Sequence, residues 1–130
     1  MAVQHVGRIE YLPHLHTSLD ARPVYLRLRD DIAAAIMDGR YAEGEALPSV
    51  RQLAAQAHAN PLTVAKAYQQ FQADGLVEVR RGVGMFVVAG AAAALRETER
   101  RHFLRDEWPL VRARIARLGL DVSALLRENA

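Results

Sequence analysis

The stretch ALPSVRQLAAQAHANPLTVAKAYQQFQADGLVEVRRGVGMFV, residues 46–87, decides how this chain of 130 residues folds, because it holds two helix starts in close succession. Ser49 and Gln52 have the spacing of a capping box, in which each side chain bonds to the backbone amide of the other residue. Asn60 followed by Pro61 is a second start, since asparagine caps helices and proline fits the first helical position. The stretch therefore predicts two helices joined by a short turn, as in a helix-turn-helix.

The residues after this second start change from a helical period to the period of a strand. Four apolar residues recur at i, i+3, i+4 and i+7 on one helix face: Val64, Ala67, Tyr68 and Phe71. Asp74-Gly75 ends the helix, and Val77 and Val79 then alternate with polar residues as on one side of a strand. A second strand is predicted over residues 85–88. The two strands form a hairpin whose tip is basic and rich in glycine.

Another helix is predicted upstream, with Pro23 at its first position and Gly39 just past its end. Its apolar face is formed by five residues: Tyr25, Leu28, Ile32, Ala35 and Ile36. Residues 39–48 hold two glycines and a proline, which predicts a connecting turn without regular structure. Residues 1–22 show no sustained period, so we expect a loosely docked leader segment.

Helix-forming residues return in the C-terminal tail, residues 91–130. Pro109 interrupts them, and because proline lacks an amide proton we expect the helix to kink or restart there. A last helix is predicted from Asp121, which caps it. A segment of this length is near the size below which isolated domains need a partner, and its apolar stripes are expected to pack against a second copy of the chain.

Composition narrows the possible functions. The chain has no cysteine, which excludes disulfides, thiolate metal sites and cysteine nucleophiles and favours a cytoplasmic location. No stretch has the length and hydropathy of a membrane span or of a secretory signal, so no membrane partner is expected. No serine, histidine and aspartate are arranged for catalysis, and we expect no enzymatic activity and no cofactor.

The net charge of +2 is too small to indicate a polyanionic partner, but its distribution along the chain is informative. Residues 27–45 hold three basic and five acidic residues, a net charge of −2, whereas residues 46–90 hold four basic and two acidic residues, a net charge of +2. One part of the domain is therefore suited to a polyanion. With so few cations in each copy, that attraction is weak unless two copies act together.

The order of elements and the residues of this region resemble the winged helix-turn-helix of the GntR family of bacterial transcription regulators. Four groups of residues carry the resemblance: Leu47-Pro48-Ser49-x-Arg51-x-Leu53-Ala54, Thr63-Val64 with Ala67-Tyr68, Asp74-Gly75-Leu76, and Gly82-x-Gly84-x-Phe86-Val87. The short helical tail resembles the YtrA-type subfamily. The expected fold is thus mainly α with a small β-hairpin: leader 1–22, winged helix-turn-helix domain 23–90 and helical dimerisation tail 91–130.

The resemblance implies a homodimer that binds double-stranded DNA, with each third helix in the major groove and each hairpin against the backbone or minor groove. In a dimer the two third helices are expected about one DNA turn apart, ~34 Å, which predicts a palindromic operator. Our leading hypothesis is a repressor that occludes a promoter. The residues expected to contact DNA lie at the start of the second helix, on the third helix and in the hairpin: Ser49, Arg51, Thr63, Lys66, Arg80, Arg81 and Gly82. Lys66 is the only lysine in the chain.

Two other hypotheses remain open. The winged helix is also compatible with a protein-interaction module whose docking surface is the tail. Alternatively, the tails of two copies enclose a site for an effector or metal that changes DNA affinity; the sequence names no such effector. His14 and His16, with His5 nearby, are candidate metal ligands, but no third ligand lies at a regular spacing from the pair, so no metal site is predicted.

Overall fold

The structure is a computed structural model that describes residues 22–128. The elements follow in order: α1 (Val24–Met37), α2 (Val50–Ala57), α3 (Pro61–Ala73), β1 (Val77–Arg80), β2 (Gly84–Val87), α4 (Ala91–His102), a π-helical turn (Phe103–Glu107), α5 (Trp108–Leu118) and α6 (Val122–Glu128). The predicted fold class, mainly helical with a small hairpin, is confirmed. The leader, apart from its last residue, and the three N-terminal histidines lie outside the described residues.

The chain divides into two compact units, the first ending at Leu95 and the second beginning at Arg96. The core of the first unit forms where α1 and α3 pack together. Leu28 and Ile32 of α1 and Phe71 of α3 are almost completely buried, and the apolar faces predicted for both helices point inward. Pro23 differs slightly from expectation: it is the N-cap of α1, and the helix begins one residue later.

Both predicted helix starts in the helix-turn-helix are present. The Ser49 hydroxyl accepts from the Gln52 amide at 3.1 Å, and the Gln52 side chain accepts from the Ser49 amide at 2.9 Å. The Asn60 side chain accepts from the Leu62 amide at 2.8 Å. His58 adopts a left-handed conformation with φ 52° and forms the C-cap that ends α2.

The hairpin pairs β1 with β2 in antiparallel register, with Val77 opposite Val87 and Arg80 opposite Gly84. One expectation is corrected here. The connection over residues 39–48 is not wholly irregular, since Ala46 forms a bridge with Phe86 at the free side of β2. Val79 does not share the burial of Val77: it is 53% exposed, because β1 extends beyond the core after its first residue.

Helix α4 begins with a cap that local sequence does not reveal. The Glu43 carboxylate accepts hydrogen bonds from the backbone amides of Gly90 and Ala92, at 3.0 and 3.2 Å. These two bonds hold the pKa of Glu43 below its ordinary value of 4.5. Leu95, one turn into the helix, is buried in the core of the first unit.

In the second unit the chain stays helical through the interruption at Pro109. The amide of Trp108 donates to the carbonyl of Phe103, five residues back, which is the hydrogen bond of a π turn. Helix α5 then restarts with Pro109 in its first turn, as predicted, and ends at Gly119. The Asp121 side chain accepts from the Ser123 amide at 3.0 Å and caps α6.

Candidate nucleic-acid interface

Helix α3 has a buried face and an exposed face. Val64 and Phe71 are completely buried, whereas Leu62, Lys66 and Gln69 are exposed along the opposite side. The residues at 62, 66 and 69 follow at intervals of four and three, so they share one face of the helix. This face of α3 therefore presents an apolar side chain, a cation and an amide, and it does not pack into the core.

The Lys66 ammonium is supported by an aromatic ring of α1. Its Nζ lies 4.4 Å from the centroid of the Tyr25 ring, within the range of a cation–π interaction. The contact limits the freedom of a long, flexible side chain without neutralising its charge. Thr63, also on α3, is half-buried at the edge of the exposed face.

The start of α2 places a cation near the positive end of a helix dipole. Arg51 is exposed and forms no hydrogen bond or ion pair with any residue between 22 and 128. A cation at this end of a helix is locally unfavourable unless an anion joins it. Ser49, one residue outside the helix, is exposed too; its hydroxyl oxygen accepts the capping hydrogen bond, and its O–H remains a donor.

The two arginines of the hairpin differ in their surroundings. The Arg80 guanidinium pairs with Glu78 at 3.2 Å and lies 4.0 Å from the centroid of the Phe86 ring. Arg81 is exposed at the tip without a partner among the residues that the structure describes. Gly82 beside it has φ +76°, a left-handed conformation that glycine adopts without strain. The tip thus presents, on a tight turn, a cation that no residue of the described range neutralises.

A groove of about 620 Å³ separates the hairpin from the start of α2. Ser49, Arg80 and Gly82 border it, so it brings three of the predicted contact residues to one surface. Arg51, Thr63, Lys66 and Arg81 lie outside it, on neighbouring parts of the same unit.

Tyr68 fixes the wall of this groove. Its hydroxyl donates to the carbonyl of Pro48 at 2.7 Å and ties α3 to the residue before the Ser49 cap. Burial raises the pKa of Tyr68 far above its usual value, so the phenol stays a neutral donor. The relative position of the two helices is therefore held by a buried hydrogen bond as well as by apolar packing.

Three exposed or half-buried residues at this surface were not among the predicted contacts: Leu62, Gln69 and Tyr25. The intervals from Leu62 to Lys66 and Gln69 were available as a signal, because residues at such spacings share a helix face. The sequence gave no such signal for Tyr25, since its contact with Lys66 joins two different helices.

No group of three or more potential metal ligands occurs within residues 22–128. No helix in that range is long and apolar enough to cross a membrane.

The family model for bacterial regulatory proteins of the gntR family matches residues 24–87. The HTH-type transcriptional regulator Rv1152 of Mycobacterium tuberculosis is 33% identical over 82 residues, which cover 58% of this chain and 68% of that protein. The chain belongs to the GntR family. As a GntR protein it carries the family's winged helix-turn-helix in the first unit.

Two further comparisons place this GntR chain within the family. It is 36% identical over 75 residues to the HTH-type transcriptional repressor YtrA of Bacillus subtilis, covering 58% of each protein, and this likeness confirms the YtrA-type resemblance. The chain spans about three-fifths of the length of the first curated relatives that it matches. The DNA-binding domain of AraR, solved in complex with operator ORE1, is 25% identical and superposes with a TM-score of 0.51 over 56% of this chain and 89% of that one.

Proposed function

We propose that this protein is a sequence-specific DNA-binding transcription regulator that acts in the cytoplasm as a homodimeric repressor on a palindromic operator. It has no catalytic role. The observation that carries the proposal is the exposed face of α3, where Lys66 stands opposite the buried face of a helix-turn-helix. The likeness to a domain solved with its operator supports DNA as the partner.

In this proposal α3 enters the major groove and uses Thr63 and Lys66 near its amino end. Arg51 and Ser49 at the start of α2 meet the adjacent backbone, and Arg51 is available because no acid among residues 22–128 neutralises it. The hairpin, with Arg81 and Gly82 at its tip, lies against the backbone or the minor groove. Arg80 contributes less free charge than Arg81, since Glu78 already pairs with it.

The homodimer is proposed to form through the tail, residues 91–130, which follows a DNA-binding domain of residues 23–90. Large apolar side chains are exposed in the second unit: Phe103, Leu104, Leu110, Val111, Leu118, Leu120 and Leu126. A second copy covers them and doubles the number of cations that face DNA. The α3 helices of the two copies then lie about one DNA turn apart, ~34 Å, on an operator with twofold symmetry.

The test begins with selection of bound duplexes from a random DNA pool by the full chain. A symmetric motif is expected, and sedimentation of the protein alone should give the mass of a dimer. If eight cations of a dimer contact phosphates, log affinity against log salt should fall with a slope of roughly −7. A slope near zero, or failure to retain any duplex at low salt, would overturn the proposal. Repression follows if the bound site overlaps a promoter and the protein lowers transcription from it in vitro.

A further inference from the structure

Leu62 is the most exposed large apolar side chain in residues 22–128, with 78% of its surface accessible. It is the second residue of α3, and its amide is held by the Asn60 cap at 2.8 Å. Its backbone position is therefore fixed, while its side chain contributes nothing to the core, which Val64 and Phe71 fill from the other face.

Single exposed leucines are common on protein surfaces and have no meaning by themselves. The placement of Leu62 is what distinguishes it. Lys66 follows four residues later, so the leucine and the ammonium group share one face of the helix that we propose enters the major groove. On that helix the leucine lies nearer the amino end, at the first turn.

The chemistry of the major groove leaves one partner for such a side chain. Base edges there present hydrogen-bond donors and acceptors, and the only apolar group among them is the C5-methyl of thymine. A leucine side chain neither donates nor accepts hydrogen bonds. A polar base edge packed against it therefore loses its hydrogen bonds to water and gains none from the protein. We infer that Leu62 selects thymine in each operator half-site by packing on the thymine methyl, beside the contact made by Lys66. This inference rests on the proposed function.

The experiment uses the full chain and the duplex obtained by selection. Each dT in a half-site is replaced in turn by dU, which removes the methyl group and leaves the hydrogen-bonding edge unchanged. For the natural protein we expect one position at which dU lowers affinity about fourfold, the effect of one buried methyl. In Leu62→Ala the same replacement should change affinity by less than about 1.5-fold, because the side chain that covers the methyl is gone.

Two further variants separate a specific contact from a general loss of binding. Leu62→Met keeps a large apolar side chain and should restore the preference for dT. Val24→Ala trims a half-exposed valine on α1 and should leave the whole dU profile unchanged. Circular dichroism melts should be equal for the natural chain and Leu62→Ala, since the residue is outside the core.

The inference is overturned if the natural protein is indifferent to dU at every position, or if Leu62→Ala keeps the same sensitivity at the same position. Failure of the proposed function gives a different result: the protein then retains no duplex at all, and the inference about Leu62 fails together with the proposed function. Binding that persists without coupling between Leu62 and a methyl group refutes this inference alone.

Discussion

The Nζ of Lys66 on α3 lies 4.4 Å from the centroid of the Tyr25 ring on α1. The only lysine of the chain is thereby held in place by the helix that packs behind it. An exposed cation–π contact of this kind is worth about 0.5–1 kcal/mol. Because the ring attracts the ammonium without neutralising it, the charge remains available to a ligand.

Replacement of Tyr25 by leucine is therefore expected to weaken DNA binding by about two- to fivefold, because a lysine that the ring no longer holds must be ordered when DNA binds. Tyr25→Phe keeps the ring and should bind like the natural chain. Fluorescence anisotropy with the selected duplex measures both. Tighter binding by Tyr25→Leu would contradict the idea, since it would mean that the ring withholds the ammonium from DNA.

Arg51→Ala is expected to weaken binding by about 1–3 kcal/mol if the guanidinium contacts a base, or to reduce the salt slope by about 1 if it contacts a phosphate. Arg40→Ala is the matched control, because Arg40 is paired with Asp38 at 3.3 Å in the acidic part of the domain. Affinities measured from low to moderate salt separate the two outcomes. An equal loss of DNA affinity in both variants would contradict the assignment of Arg51 as a DNA contact.

Gly82→Ala should destabilise the first unit by about 1–2 kcal/mol, because φ +76° is a left-handed conformation that alanine avoids. Apart from the two neighbouring residues, no atom of residues 22–128 lies within 4 Å of the added Cβ, so the cost comes from backbone strain. Gly82→Asn should cost less, since asparagine tolerates this conformation. Urea denaturation of the three proteins checks the order, and equal stability of all three would show that the turn adapts.

Tyr68→Phe removes the hydroxyl that donates to the Pro48 carbonyl at 2.7 Å and should lower the free energy of unfolding by about 1 kcal/mol. Tyr41 supplies a control. It is equally buried, and its hydroxyl has no hydrogen-bond partner in the described part of the chain. Tyr41→Phe should therefore change stability by less than about 0.5 kcal/mol. A reversal of this order in urea titrations would show that the Pro48 hydrogen bond contributes little.

The cap that Glu43 provides for α4 predicts a dependence of stability on pH. Hydrogen bonds from Gly90 and Ala92 lower the pKa of its carboxyl in the folded state, so ionisation stabilises the fold above the unfolded pKa of about 4.5. This contribution is lost as pH falls through the lower folded value. Glu43→Gln should melt at a lower temperature than the natural chain at pH 7, with a difference that shrinks below about pH 4.5. A difference in melting temperature that does not change with pH would show that ionisation of Glu43 is not its cause.

Features set by residues close in sequence could be predicted, and those set by distant residues could not. Ser49 with Gln52 and Asn60 with Pro61 act within three residues, so their chemistry marks both helix starts directly. The bridge between Ala46 and Phe86 and the cap from Glu43 to Gly90 join residues 40 or more positions apart. Neither has a local pattern.

The candidate site shows the same division. Family motifs identified Arg51 and Lys66, and the structure leaves both exposed on the first unit. They gave no indication that Tyr25 supports the lysine or that Arg80 is tied to Glu78. The exposure of Val79 could not be predicted either, because alternation along a strand indicates which side a residue faces and not how far the core extends.

The π turn before Pro109 determines which way the side chains of α5 point around the helix axis. A hydrogen bond from Trp108 to a carbonyl five residues back inserts one residue beyond the regular repeat, which corresponds to about 100° of rotation around the helix axis. The stripe formed by Val111 and Leu118 is thus aimed in a direction that an unbroken helix of the same residues would not give. Deletion of one residue between 103 and 107 would turn that stripe away while leaving its composition intact.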